Sequence, residues 1–310
     1  MKFRYEEFDL SGVKTYPLSS RRSKANRADF AKPVAIDLAP LIDAFPSILA
    51  GSDFKAVVAA LNSARECGHG IVWGLGAHVL KTGLSPILIE LMERGYVSAL
   101  ALNGAGVIHD FELALSGSTS EDVDEALGPG RFGMAEETAT LLNRAITEGV
   151  GRGRGLAQAV VEHLHHVQPP HANVSILCAA GRLEIPVTAH IAIGTDIIHM
   201  HPAASGAALG EGSLRDFRYF VSNVARLGQG VYLNCGSAVV LPEVFLKAVA
   251  LARNQGRSLE GLTTVNMDFI RHYRAQTNVV SRPVAGIGKG YSLVGHHEIM
   301  IPLLAAALSR

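Results

Sequence analysis

Ile71-Val72-Trp73-Gly74-Leu75-Gly76-Ala77-His78-Val79-Leu80-Lys81-Thr82-Gly83 reads as a strand running into a small-residue turn, and the chain after it completes a unit. His69–Trp73 is strand-like. Ser85–Arg94 has helical spacing with Pro86 in its first turn, where the missing N–H removes no helical bond. Ser98–Leu102 is strand-like again and stops at Asn103-Gly104. Strand, helix and strand in that order make a βαβ unit, which lays two strands parallel.

The alternation continues outward from this unit. Toward the N-terminus, apolar residues from Ile36 to Phe45 and from Phe54 to Ala64 predict two helices. Toward the C-terminus, helices are predicted over Ala135–Glu148, from the Gly149–Gly155 turn to His166, over Pro242–Arg253 and over Glu298–Leu308. Strands are predicted at Pro186–Ile193, Gly230–Asn234 and Leu262–Val265, and Ser118–Asp124 reads as a polar loop. The expected class is α/β: a Rossmann-like, doubly wound, mostly parallel sheet with helices on both faces. No internal repeat or low-complexity linker interrupts it, so residues 36–310 are expected as one domain. Residues 1–35 precede it as an N-terminal arm whose Arg21, Arg22, Lys24 and Arg27 lie in solvent or on a partner subunit.

Composition narrows the partners. Hydrophobic residues make up 48% of the 310 and charged ones 18%, an apolar surplus that predicts burial between subunits of a homo-oligomer. Basic and acidic residues balance at 28 each, so nothing draws the chain bodily onto nucleic acid or an anionic membrane. The first residues lack a signal-peptide core, and the apolar runs are broken well before a membrane span, so a cytoplasmic location is expected. Cys67, Cys178 and Cys235 form no Cys-x-x-Cys pair and leave an odd count, which fits a reducing compartment.

In a parallel sheet, ligands gather outside the carboxyl ends of the strands. Gly74 and Gly76 let backbone approach an anion, and Ala77, Lys81 and Thr82 follow with a charge and a hydroxyl. Asn103, Gly104 and Ala105 open a second small-residue loop that runs to His109 and Asp110. Gly194, Thr195 and Asp196 form a third, with His190, His199 and His201 around it, and Gly236 and Ser237 a fourth. Glu243, in a first helical turn, either complements the helix dipole or holds a cationic amine. His109, His199 and His296 are expected in strand-end loops, where a group titrating near neutrality suits proton transfer.

Taken in order, these segments resemble the deoxyhypusine synthases and the related homospermidine synthases. The likeness begins at Asp37–Phe45 and Asp53–Val57 and is strongest from Ile71 to Asp110. It returns at Glu184–Val187, Gly194–Asp196, Cys235–Val240 and Ile301–Leu304. The resemblance implies an NAD-binding domain in a homotetramer, a dimer of dimers with active sites between paired subunits. It implies NAD contacts at Ala77, Lys81, Thr82, Asn103, Gly104 and Ala105, with Gly236, Ser237, Asp268 and His296 nearby. In that family NAD takes hydride from spermidine, and a lysine in a Trp-Gly-Lys sequence accepts the aminobutyl group. Here that region reads Ser281-Arg282-Pro283-Val284, with no lysine until Lys289. Ile108 and His109 stand where the family carries acids, and Ile193 where an aspartate is expected. The expected function is therefore an NAD-dependent enzyme, a transferase or amine oxidiser, acting on a smaller or less basic amine, with Lys289 forming no covalent imine. Two other readings stand beside it: a catalytically silent nucleotide-binding or assembly protein, and a metal-dependent hydrolase using His199, His201 and His296 or His297.

Overall fold

The computed structural model describes residues 8–33 and 39–308. Ile36 and Asp37, where the predicted domain and the resemblance begin, lie outside them. The strands are β1 (Ser23–Asn26), β2 (Ile71–Leu75), β3 (Ala99–Asn103), β4 (Ser118–Glu121), β5 (Val187–His190), β6 (Val231–Cys235), β7 (Thr263–Asp268) and β8 (Lys289–Val294). Six form one parallel sheet in the order β5-β3-β2-β6-β7-β8; β1 and β4 form a separate antiparallel pair.

β2 sits in the middle because all five of its residues can be buried. Ile71, Trp73 and Leu75 point to one face and pack with helices Leu49–Glu66, Ser85–Glu93 and Gly104–Ser116. Val72 points to the other, where Tyr232 stacks on Phe245 at 3.7 Å beneath helices Gly206–Val224 and Val240–Asn254. Helices on both faces require apolar residues at odd and even positions alike, so the strand reads as a continuous hydrophobic run. Trp73 is fully buried and its Nε1 donates to the Tyr96 carbonyl at 3.0 Å, which keeps its one polar atom satisfied.

The chain moves outward from β2 through β3 to β5, returns to the middle as β6, then moves outward the other way through β7 to β8. Adjacent β2 and β6 therefore send their following segments in opposite directions. In parallel sheets of this kind such a switch point is where a ligand crevice forms, outside the carboxyl ends of the strands.

Several expectations are corrected. The N-terminal segment packs on its own chain: β1 pairs with β4, the Tyr16 N–H donates to Met134 O at 3.0 Å, and Phe30 is buried against Gly83. The Arg21 guanidinium clamps the Glu112 carboxylate at 2.6 and 2.7 Å, with the two side chains 3% and 1% exposed. Ser118–Glu121, read as loop, is the strand this segment pairs with. The predicted loop after Asn103 is the start of helix Gly104–Ser116, so His109 lies on a helix. The stretch around Lys289, also read as loop, contains the edge strand β8. The 19-residue helix Gly206–Val224 falls in a stretch for which no element was predicted.

Candidate functional site

At the switch point the turns after β2 and β6 touch. The Gly76 N–H donates to Cys235 O at 2.8 Å, and a Cβ on Gly76 would lie 2.1 Å from Gly236 O, so only glycine allows this approach. Gly236 has φ +71°, and a Cβ there would lie 2.8 Å from His297 Nε2. The turn is fixed from below: Asn234 Nδ2 donates to Ser237 O at 2.9 Å and to Asn266 Oδ1 at 2.7 Å, and Leu241 N–H donates to Ser237 Oγ at 3.2 Å.

His297 closes the crevice. Its side chain is fully buried and neither ring nitrogen has a hydrogen-bond partner, although Asp268 Oδ1 lies 3.9 Å from Nε2. Burial lowers the His297 pKa, opposed by the Asp268 carboxylate, so the ring is neutral near pH 7. Asp268 is held by the Phe269 N–H at 2.8 Å. The His78 ring lies 6.0 Å from that of His297, and exposed His296 stacks on Phe269. A buried polar group without a partner costs about 1–3 kcal/mol, which a ligand at this spot would offset.

A second group lies across the short helix Ala77–Lys81. Asn103 caps helix Gly104–Ser116, accepting from the Gly106 N–H at 2.9 Å. Asp196 is 7% exposed, and its Oδ2 has no partner and lies where a Cβ on Gly104 would sit. Burial raises its pKa to about 6, opposed by a hydrogen bond from the Ala105 N–H. His199 Nδ1 accepts from Gly194 N–H at 3.1 Å, while its Nε2 is unpartnered 3.9 Å from Asp196 Oδ2. His109 Nδ1 meets Thr119 Oγ1 at 2.7 Å, and burial lowers its pKa to about 4.

The predicted residues thus divide into two groups. Gly76, Ala77, Gly236, Ser237 and Asp268 gather at the crevice. Lys81, Ala105, His109, Thr195 and Asp196 line a separate cavity of about 210 Å³. Gly74 belongs to neither: it lies within β2, and a Cβ there would meet the Tyr232 hydroxyl at 2.5 Å. The Thr82 hydroxyl bonds back to the His78 and Val79 carbonyls, both at 3.1 Å. Glu243 is engaged by Lys247, by Arg274 at 2.7 Å and by Asn278 at 2.9 Å, so its own chain supplies the cation expected from a ligand. His296 is two-thirds exposed; its neighbour His297, which the sequence brought in only as one possible metal ligand, is the buried one. His78 and Phe269 were not singled out.

The metal constellation is not assembled. His199 and His201 follow β5 and His296 and His297 follow β8, at opposite edges of the sheet and about 24 Å apart at ~4.8 Å per strand. Among the described residues no three His, Cys, Asp or Glu side chains are grouped as ligands. Lys289 begins β8 at the amino end of the sheet, about 17 Å of strand from Val294 at ~3.3 Å per residue.

No family model matches the sequence, and no curated protein matches it. Solved structures do. AgrE in ternary complex with ornithine and NAD+ is 17% identical with TM-score 0.55, over 82% of this chain and 32% of AgrE. A conserved candidate LOR/SDH protein from Methanococcus maripaludis S2 is 16% identical with TM-score 0.54, over 90% of this chain and 73% of that one. A candidate deoxyhypusine synthase from Entamoeba histolytica is 10% identical with TM-score 0.51, over 96% of each chain. This chain spans about a third of the length of AgrE and of ArgZ, an arginine dihydrolase of the cyanobacterial ornithine-ammonia cycle. Identities this low establish architecture and not chemistry. No helix among the described residues is long and apolar enough to cross a membrane. The chain has a deoxyhypusine synthase-like fold, a Rossmann-like parallel sheet with helices on both faces and its crevice at the β2–β6 switch point.

Proposed function

We propose that the chain is an NAD-dependent enzyme acting on a small amine, with NAD in the β2–β6 crevice. The observation that carries this is the fully buried, unpartnered His297 beside Asp268 at the switch point. The residues present fit the cofactor. Gly76 and Gly236 bring the turns after β2 and β6 together beside the unpartnered ring nitrogens of His297, which offer a ligand one donor and one acceptor. AgrE, about a third of which shares the fold, has been solved with NAD+ and ornithine.

NAD, when bound, supplies the hydride acceptor. His297, neutral near pH 7, accepts a proton from the amine nitrogen, and Asp268 stabilises the imidazolium that results. Lys289 takes no part in a covalent step, because it stands at the other end of the sheet. The catalytically silent reading gains support only if cofactor binding fails. Calorimetric titration of the full chain with NAD tests the proposal: saturable binding that is lost on His297→Trp, which fills the crevice, supports it. Absence of NAD binding to the unmutated chain overturns it.

A further inference from the structure

We infer that the cavity between helix Gly104–Ser116, helix Ala77–Lys81 and the turn at Thr195–Ile197 binds a small zwitterion of the α-amino acid class, its carboxylate on Lys81 and its ammonium on Asp196. The inference stands apart from the reading above: the cavity lies on the β5 side of the sheet, away from the crevice and from His297 after β8.

The charges around the cavity of about 210 Å³ can be sorted by whether the protein already uses them. Arg21 and Glu112 neutralise each other, and Glu112 also accepts from the Thr119 and Thr138 hydroxyls. Glu121 accepts from the Tyr16 hydroxyl and from the Gly133 N–H at 2.8 Å. Two groups remain. Among the described residues Lys81 makes no ion pair, and Asp196 keeps one buried carboxylate oxygen without a partner. A cavity with one unused cation and one unused anion is complementary to a ligand bearing both charges. A simple amine would leave Lys81 facing the pocket, and a simple acid would be repelled by Asp196. The rest of the wall carries no charge: Ile108, Val123, Phe132 and Ile197 are apolar, Ser120 and Thr195 are hydroxyls, and burial keeps His109 neutral, so it offers no second cation site of the kind a polyamine needs. The volume falls below the ~300–1,000 Å³ of drug-sized sites and excludes a dinucleotide.

The test is calorimetric titration of the full-length chain with L-norvaline, with butylamine and pentanoate as its decarboxylated and deaminated counterparts, and with L-alanine and L-ornithine as shorter and doubly cationic relatives. The expected result is that at least one of the amino acids binds, and that norvaline or alanine binds tenfold or more tighter than either fragment. Lys81→Met should abolish the preference over butylamine, and Asp196→Asn the preference over pentanoate. Lys81 is exposed, so its variant remains informative if Asp196→Asn does not fold. Three results overturn the inference: no binding by any amino acid at millimolar concentration, a fragment binding as tightly as norvaline, or a preference that survives Lys81→Met. Titrating NAD separately distinguishes the two proposals, since amino acid binding without NAD binding removes only the cofactor reading.

Discussion

The Arg21–Glu112 pair ties the N-terminal segment to the sheet-covering helices, and its removal has a calculable effect. Replacing Arg21 with Met leaves the Glu112 carboxylate 1% exposed and without its bidentate partner, holding only the hydroxyls of Thr119 and Thr138. Breaking one side of a buried ion pair costs about 3–5 kcal/mol, because the surviving charge stays desolvated. For 310 residues, an unfolding entropy of roughly 2.1 cal/mol/K per residue gives about 0.65 kcal/mol/K, so the midpoint should fall by about 5–8 °C. Arg21→Met/Glu112→Leu should recover most of that loss, since removing both charges takes away the desolvation along with the attraction. Thermal unfolding of the three proteins followed by circular dichroism is the assay. The reasoning fails if Arg21→Met shifts the midpoint by under 2 °C, or if the double variant is no more stable than the single one.

Three other outcomes follow from the geometry. His297→Gln should lower turnover by about 10²–10⁴-fold with NAD affinity nearly unchanged, and wild-type kcat/KM should stay level down to pH values where an ordinary histidine protonates, because the His297 pKa is lowered by burial; a parallel loss of NAD affinity would make its role structural. His190 is buried and its pKa is lowered to about 3, so its stabilising contribution is complete above the unfolded value of ~6.5 and is lost as pH falls toward 3. Relative to His190→Gln, the wild type should therefore lose about 2 kcal/mol between pH 7.5 and 5 in urea unfolding, and parallel pH profiles would refute this. We also expect a homo-oligomer, since exposed Phe269, Ile270, Tyr273 and Ile299 follow β7 and β8 at one edge of the sheet; light scattering showing only a 32.9 kDa species would count against it.

How much of the fold can be read from sequence follows burial. β2 and β3 are covered on both faces, so their residues form uninterrupted apolar runs that nothing but a central strand explains. β8 is an edge strand with one side exposed, and it begins Lys289-Gly290 after Gly288. Those glycines serve packing: a Cβ on Gly290 would lie 1.8 Å from Val280 O, and one on Gly288 2.0 Å from Leu262 O. In one dimension the requirement for close approach and the signature of a loop look the same. Gly104 misleads for the same reason, since its missing side chain makes room for Asp196, some ninety residues further on.

The candidate site was legible as a set of loops but not as a set of side chains. The rule that ligands gather at carboxyl strand ends located the turns at Gly76 and Gly236 without any contact information. It could not separate His296 from His297, because consecutive residues at a helix start point about 100° apart and only the tertiary structure decides which faces inward. His296 is the N-cap and lies over Phe269 in solvent; His297 is the first helical residue and turns under Gly236. Nor could it divide Lys81 from Gly76, five residues apart on one short helix that separates the crevice from the cavity. A helix of one and a half turns presents its two ends to different neighbours, so a motif that reads as one phosphate loop supplies glycine to one site and a lysine to another.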